Sequence, residues 1–170
     1  PAPKEAEQNR EFYYMSEFLK EHGFDHYEIS NFGKPGFHSR HNSAYWKSHE
    51  YLGIGPSAHS FNGGNERSWN IANNKLYINS LEKNTVPKET EILSEADQFN
   101  EMLMIGLRTF WGVDLAVLNE KFGEEVLEHF RKEIQLKLAD GILLIENNHL
   151  KIPERHWFMA DGIASDLFMV

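Results

Sequence analysis

Apolar positions recur with a helical period over residues 4–22. Phe12, Met15, Phe18 and Leu19 share one side, and Glu5, Glu7 and Glu11 favour the N-terminal end. Gly23 is a natural stop, and 24–30 predict a short strand, the helix-then-strand rhythm of an α/β unit. The periodic pattern is then lost. Residues 31–70 mix breakers, polar groups and aromatics, with short extended pieces expected at 51–54, 57–61 and 68–71. Asn62, Gly63, Gly64 and Asn65 make a good hairpin turn between two of them. Residues 75–82 predict a helix with Leu76, Ile78 and Leu81 facing inward. The polar connection 84–90 marks the expected boundary between two domains, 1–88 and 89–170.

The second half is more regular. Ser94 and Asp97 resemble a capping box, and the helix they open is expected to run to about Thr109, with Phe99, Met102, Leu103 and Gly106 on one stripe. Asp114 caps a short helix that Gly123 breaks. Residues 124–139 predict one strong amphipathic helix, with Val126, Leu127, Phe130, Ile134 and Leu138 as its core face. Residues 142–145 and 149–152, joined through Asn147 and Asn148, predict a hairpin. A last segment after Pro153 is expected to be helical to about Phe168. Three helices, a hairpin and a helix give a winged-helix-like order.

Charge changes the picture in the second half. The chain of 170 residues carries a net charge of −9, and nearly all of it lies beyond residue 90. The helix expected at 124–139 sets Glu124, Glu125, Glu128 and Glu133 against Arg131, Lys132 and Lys137. A net negative helix is poorly suited to a nucleic-acid groove, whose affinity comes from Lys and Arg on phosphates, so no nucleic-acid partner is expected. No run approaches the ~20 apolar residues of a membrane span. The chain has no cysteine, which excludes disulfides, thiolate metal sites and a thiol nucleophile within it.

The stretch 27–61 stands apart from the rest. It gathers His38, His41, His49 and His59 with Arg40, six Gly or Pro breakers and seven aromatic residues. A core strand has the opposite composition. Breakers beside polar and aromatic groups imply a backbone shaped for close approach. Within it stand His41-Asn42-Ser43-Ala44-Tyr45-Trp46, an H-N-x-x-Y-W string, then Gly53-Ile54-Gly55-Pro56-Ser57-Ala58-His59-Ser60, preceded by Tyr27-Glu28-Ile29-Ser30-Asn31-Phe32. In order and spacing the three strings resemble the HemW/HemN family of radical S-adenosylmethionine proteins, which comprises haem chaperones and oxygen-independent coproporphyrinogen III oxidases. Glu101-Met102-Leu103-Met104-Ile105-Gly106-Leu107-Arg108, followed by Gly112-Val113-Asp114, resembles the C-terminal domain of the same family.

The resemblance implies a fold and a set of ligands. The fold class is α/β (α+β): the last elements of an incomplete β/α barrel, then a helical, winged-helix-like domain. It implies that His41, Asn42, Tyr45 and Trp46 bind haem or a porphyrinogen, that Arg40 pairs with a propionate, and that His41 ligates the iron. Gly53, Gly55 and His59 would line a site for S-adenosylmethionine or substrate. The family holds a 4Fe–4S cluster on a C-x-x-x-C-x-x-C string. This chain has none, so the resemblance implies the C-terminal part of a longer, cytoplasmic protein, inactive alone, with the upstream barrel as its partner. H-N-x-x-Y-W favours the chaperone branch over oxidative decarboxylation of coproporphyrinogen III.

The residues themselves leave alternatives open. His41 either ligates iron or bonds a backbone carbonyl while Trp46 fills a core. His59 either lines a site or caps a neighbour beside a glycine-permitted bend. Arg40 either meets a carboxylate or forms a surface ion pair. Glu28 and Asn31, near a strand end, are further site candidates. His22, His26, His49, His129, His149 and His156 are expected to be solvated. His38 and His41 lack an acidic partner at zinc spacing. An unpaired edge within 27–61 predicts self-association. A rival of another class is a pure interaction domain.

Overall fold

The stripe at the start of the chain forms α1 (Glu5–Glu21) in the computed structural model, which describes residues 4–169. β1 (Asp25–Glu28) follows and turns back at once into β2 (Asn31–Gly33), an antiparallel partner inside the stretch expected to be irregular. The Glu28 carboxylate helps close that turn by accepting the Ser30 N–H at 2.9 Å.

A short helix, α2 (Arg40–Trp46), occupies residues whose pattern predicts none. It has no buried stripe to announce it. Its start is set by Ser39, whose Oγ accepts the Asn42 N–H at 3.2 Å, an N-cap arrangement. H-N-x-x-Y-W is therefore helical, where an irregular loop was expected.

β3 (His59–Phe61), β4 (Glu66–Asn70) and β5 (Lys88–Ile92) form an antiparallel sheet in the order β3-β4-β5. The turn at 62–65 forms as expected: Asn62 Oδ1 accepts N–H bonds from Gly64 at 2.8 Å and Glu66 at 3.0 Å. Of the piece expected at 51–54, only Tyr51 pairs, with Phe61. α3 (Asn74–Leu81) lies between β4 and β5. Leu76, Ile78 and Leu81, expected inward, are exposed, because nothing in the described chain covers that face. β5 is a further departure. Residues 88–90, expected to be a polar connection, pair with β4. Every β5 side chain is exposed, so burial leaves no alternating signal to read.

The second half follows its pattern closely. Ser94 and Asp97 complete a reciprocal capping box at α4 (Glu95–Leu107). β6 (Val113–Asp114) leads to α5 (Leu115–Phe122), capped by Asp114 and ended by Gly123 at φ 86°. The helix expected at 124–139 breaks at Ile134 into α6 (Glu124–Glu133) and α7 (Gln135–Ala139). Ile134 still donates to Phe130 O at 3.1 Å and accepts from Leu138 N–H at 2.9 Å, so the hydrogen-bonded path runs through the break. β7 (Leu144–Glu146) and β8 (His149–Lys151) form the hairpin, and the sheet order is β6-β8-β7. A 3-10 helix (Glu154–Met159) and α8 (Ala160–Ser165) finish the described chain, short of the helix expected to Phe168.

The core lies almost wholly in this half, from Phe99 to Leu167, with Leu103, Leu107, Leu118 and Ile134 fully buried. Each such side chain contributes about 1.5–3 kcal/mol. α1 packs onto it: Phe12 touches the core, and the Tyr13 hydroxyl donates to Arg155 O at 2.7 Å. All strand pairings named among the described residues are antiparallel. No helix of the described chain is long and apolar enough to cross a membrane.

Candidate functional site

At 3.6 residues per turn, the four matching residues of H-N-x-x-Y-W fall on two faces of α2. His41 and Tyr45, four apart, share one face. With Ala44, His49, Tyr51, Gly53 and His59 they line an open cavity of about 370 Å³. The two strings singled out in the sequence therefore meet. His49, exposed as expected, also lines the cavity. It stands just past α2, where Ser48 at φ 53° turns the chain and the His49 N–H bonds Ala44 O at 3.0 Å.

The cavity is walled by aromatic rings. Tyr45 and Tyr51 have ring centroids 5.4 Å apart, and His59 leans on Trp69 at 6.0 Å. Burial pushes the Tyr51 phenol above its usual range, and the neighbouring Tyr45 phenol adds to the shift. Arg67, on β4, acts on both phenols and is bound to Glu101 of α4 at 2.7 Å; this partner pushes its guanidinium higher still. Nothing in the local sequence around Arg67 marks it as a neighbour of the cavity.

Asn42 and Trp46 occupy the other face. Asn42 Nδ2 donates to Asn31 Oδ1 at 3.0 Å. Trp46 lines a second cavity, of about 470 Å³, with Met102 and Ile105 of α4 and with Trp111. Its indole N–H is buried without an acceptor among the described residues. Arg40 is exposed on the first turn of α2, with no ion-pair partner among the described residues.

Gly53 and Gly55 have distinct reasons for being glycine. A Cβ on Gly53 would lie 2.1 Å from the His59 carbonyl oxygen, so the backbone approaches its own neighbouring strand there. Gly55 takes φ 106°, a region other residues rarely adopt. Asn70 Nδ2 fixes both, donating to Gly53 O at 3.3 Å and Gly55 O at 2.9 Å. Gly55 is not among the residues lining the His41 cavity.

The remaining candidates are packed elsewhere. Glu28 is fully buried and meets Arg108 at 3.1 Å. His38 Nε2 lies 2.8 Å from Asp25 Oδ2, and its ring stacks on Tyr27. His26, expected to be solvated, is buried instead, stacked on Phe32 at 4.0 Å. Because Ile29 O can only accept, His26 Nε2 carries the proton, and Nδ1 accepts from the Ser16 hydroxyl at 3.0 Å.

Comparison with known proteins shows what the chain is similar to. The family described as HemN C-terminal domain matches residues 93–159. The heme chaperone HemW of Lactococcus lactis is 33% identical over 161 residues, covering 95% of this chain and 42% of that protein. HemW of Bacillus subtilis is 35% identical over 125 residues, covering 73% of this chain and 32% of that protein.

This chain belongs to the HemW/HemN family and matches its C-terminal part.

A solved structure agrees on the fold. Coproporphyrinogen III oxidase (HemN) from Escherichia coli, a radical SAM enzyme, superposes with a TM-score of 0.66 at 14% identity, covering 92% of this chain and 39% of that one. The chain spans a third to two fifths of the length of these relatives. The family match from residue 93 begins where β5 ends and takes in the capping box, α4 and the hairpin. The cavity around His41 lies outside that matched segment, in residues that the Lactococcus relative covers.

Proposed function

We propose that this chain is the tetrapyrrole-facing part of a haem-handling radical S-adenosylmethionine protein, with His41 as the ligand to haem iron. The observation that carries this reading is the convergence of His41, Tyr45, His49, Tyr51 and His59 on one cavity. Imidazoles supply iron ligands and flat phenol rings supply packing for a porphyrin face, so the donor set fits haem. Arg40, unpaired at the same end of α2, is the propionate partner in this reading. Bound haem would supply the iron, His41 would ligate it, and Tyr45 and Tyr51 would pack on the ring.

The cluster is a different matter. With no cysteine, these residues do not fit the 4Fe–4S cluster of the family. Its ligands, the S-adenosylmethionine site and the rest of the barrel belong in this reading to the part of the relatives that the chain does not span. The exposed Leu52, Ile54, Leu76 and Ile78 are apolar surface for that part to cover, and β1 is the element that would join the barrel. The order α4, β6, α5, α6, α7, β7, β8 with a β6-β8-β7 sheet supports the winged-helix reading of the second unit.

Haem titration tests the assignment. Haem is added to the wild-type chain, to His41→Ala and to His59→Ala, at matched folded fraction. Wild type and His59→Ala are expected to shift the Soret band, and His41→Ala to lose most of the shift while keeping its fold. An unchanged band and affinity in His41→Ala would remove His41 as ligand, and loss in His59→Ala alone would move the role to His59.

A further inference from the structure

The Glu28 carboxylate is the one fully buried acidic group among the described residues, and the cavity does not use it. It accepts from the Ser30 N–H at 2.9 Å, from Asn31 Nδ2, and from Arg108 through Nε at 3.2 Å and Nη2 at 3.1 Å. Burying a carboxylate is tolerated only with such a set of donors. The chain of bonds continues at both ends. Arg108 Nη1 donates to Asp161 on α8, and Asn31 Oδ1 accepts from Asn42 Nδ2 at 3.0 Å. Polar contacts thus run from α8, through the end of α4 and the β1–β2 turn, into the first turn of α2.

α2 needs such support. Seven residues are far below the length at which a helix persists alone, and no α2 residue is fully buried. Further contacts flank it: Ser39 N–H reaches the Tyr27 hydroxyl at 3.4 Å, and the Lys47 ammonium lies 5.3 Å from the Trp111 ring centre. The Asn42–Asn31 bond grips the helix beside His41, on the side away from the Tyr45–Tyr51 ring contact.

We propose that Asn31, Glu28 and Arg108 are positioning residues for α2. They anchor α2 to the second unit through one buried carboxylate, from the face opposite His41. As a statement about haem this rests on His41 being the ligand; as a statement about α2 it does not. The ion pair alone would hold β1 against α4. Asn31 adds the link to α2, and it can be removed while leaving Arg108 on Glu28.

The experiment compares amide hydrogen exchange in wild type, Asn31→Ala and Arg108→Lys, with haem titration of the same proteins and of Asn31→Ala combined with His41→Ala. Loss of one such hydrogen bond predicts exchange of the α2 amides about tenfold faster in Asn31→Ala, with α4 core amides unchanged. Arg108→Lys keeps the charge but loses the fork, and α2 exchange rises there too, providing a second route if Asn31→Ala folds poorly. Haem affinity in Asn31→Ala falls by about the same tenfold, and the double variant shows no further loss beyond His41→Ala. Unchanged α2 exchange in both single variants, or an equal rise in α2 and α4, overturns the proposal. If wild type shows no His41-dependent Soret shift, the haem reading fails, and the exchange arm still decides the positioning role.

Discussion

Residues 31–92 and residues 93–169 are built on opposite plans. In the second region, apolar side chains from every helix meet in one core, and Trp157 buries its ring with its indole N–H satisfied by Ile152 O at 2.8 Å. In the first, the buried side chains are Ser68 and Asn70, while Leu52 and Ile54 stand 80% and 84% exposed. One region is held by what it excludes from water. The other is held by backbone pairing, caps and side-chain amides, and keeps its apolar groups outside. The difference is that between a region with an apolar core of its own and one that leaves its apolar side chains at the surface.

The largest effect is expected at Leu103. It is fully buried, so Leu103→Ala is expected to cost about 2–5 kcal/mol, read as a lower denaturation midpoint. A loss below about 1 kcal/mol would mean that the second region is less tightly packed than its burial implies.

A smaller effect tests the seam where α1 and β1 meet the second region. Burial holds the His26 imidazole below its usual value of 6.5. The unfolded chain then binds more protons than the folded one from about pH 6.5 down to the lowered value, so stability is present above that window and lost as pH falls through it. The thermal midpoint should drop between about pH 7.5 and about pH 5.5, and the drop should be shallower in His26→Gln. Parallel slopes in the two proteins would assign the acid sensitivity to other groups.

The smallest effect belongs to the exposed apolar groups. Leu52→Ser and Ile54→Ser should change the stability of this chain by no more than about 0.5 kcal/mol, while raising its solubility. A clear destabilisation in either would show that these side chains already support the first region.

The same contrast explains what could be read from the sequence. α4 was legible because its signals are local: Ser94 and Asp97 sit three apart, and Phe99, Leu103 and Leu107 repeat at helical spacing. β5 was not, because Lys88–Ile92 expose every side chain and only their pairing with β4 makes them a strand. α2 was hidden for a related reason, being a helix fixed by a cap and by neighbours rather than by a stripe. At the site, His41 and Tyr45 were visible through their string. Their meeting with Tyr51 and His59 depends on the β3 bridge, and Glu28 and Arg108 are 80 positions apart. Single-sequence periodicity carries no trace of such a pair.

The close approach at Gly53 sets a limit on redesign. Its missing Cβ allows Tyr51 and Phe61 to exchange backbone hydrogen bonds at 3.0 Å and 2.9 Å while the His59 carbonyl presses against residue 53. Any larger residue there would part the two segments before it narrowed the space between them. The wall that can be thickened is the opposite one. Ala44 faces the same cavity from α2, so an engineer adjusting the aperture would work from the helix and leave the glycine alone.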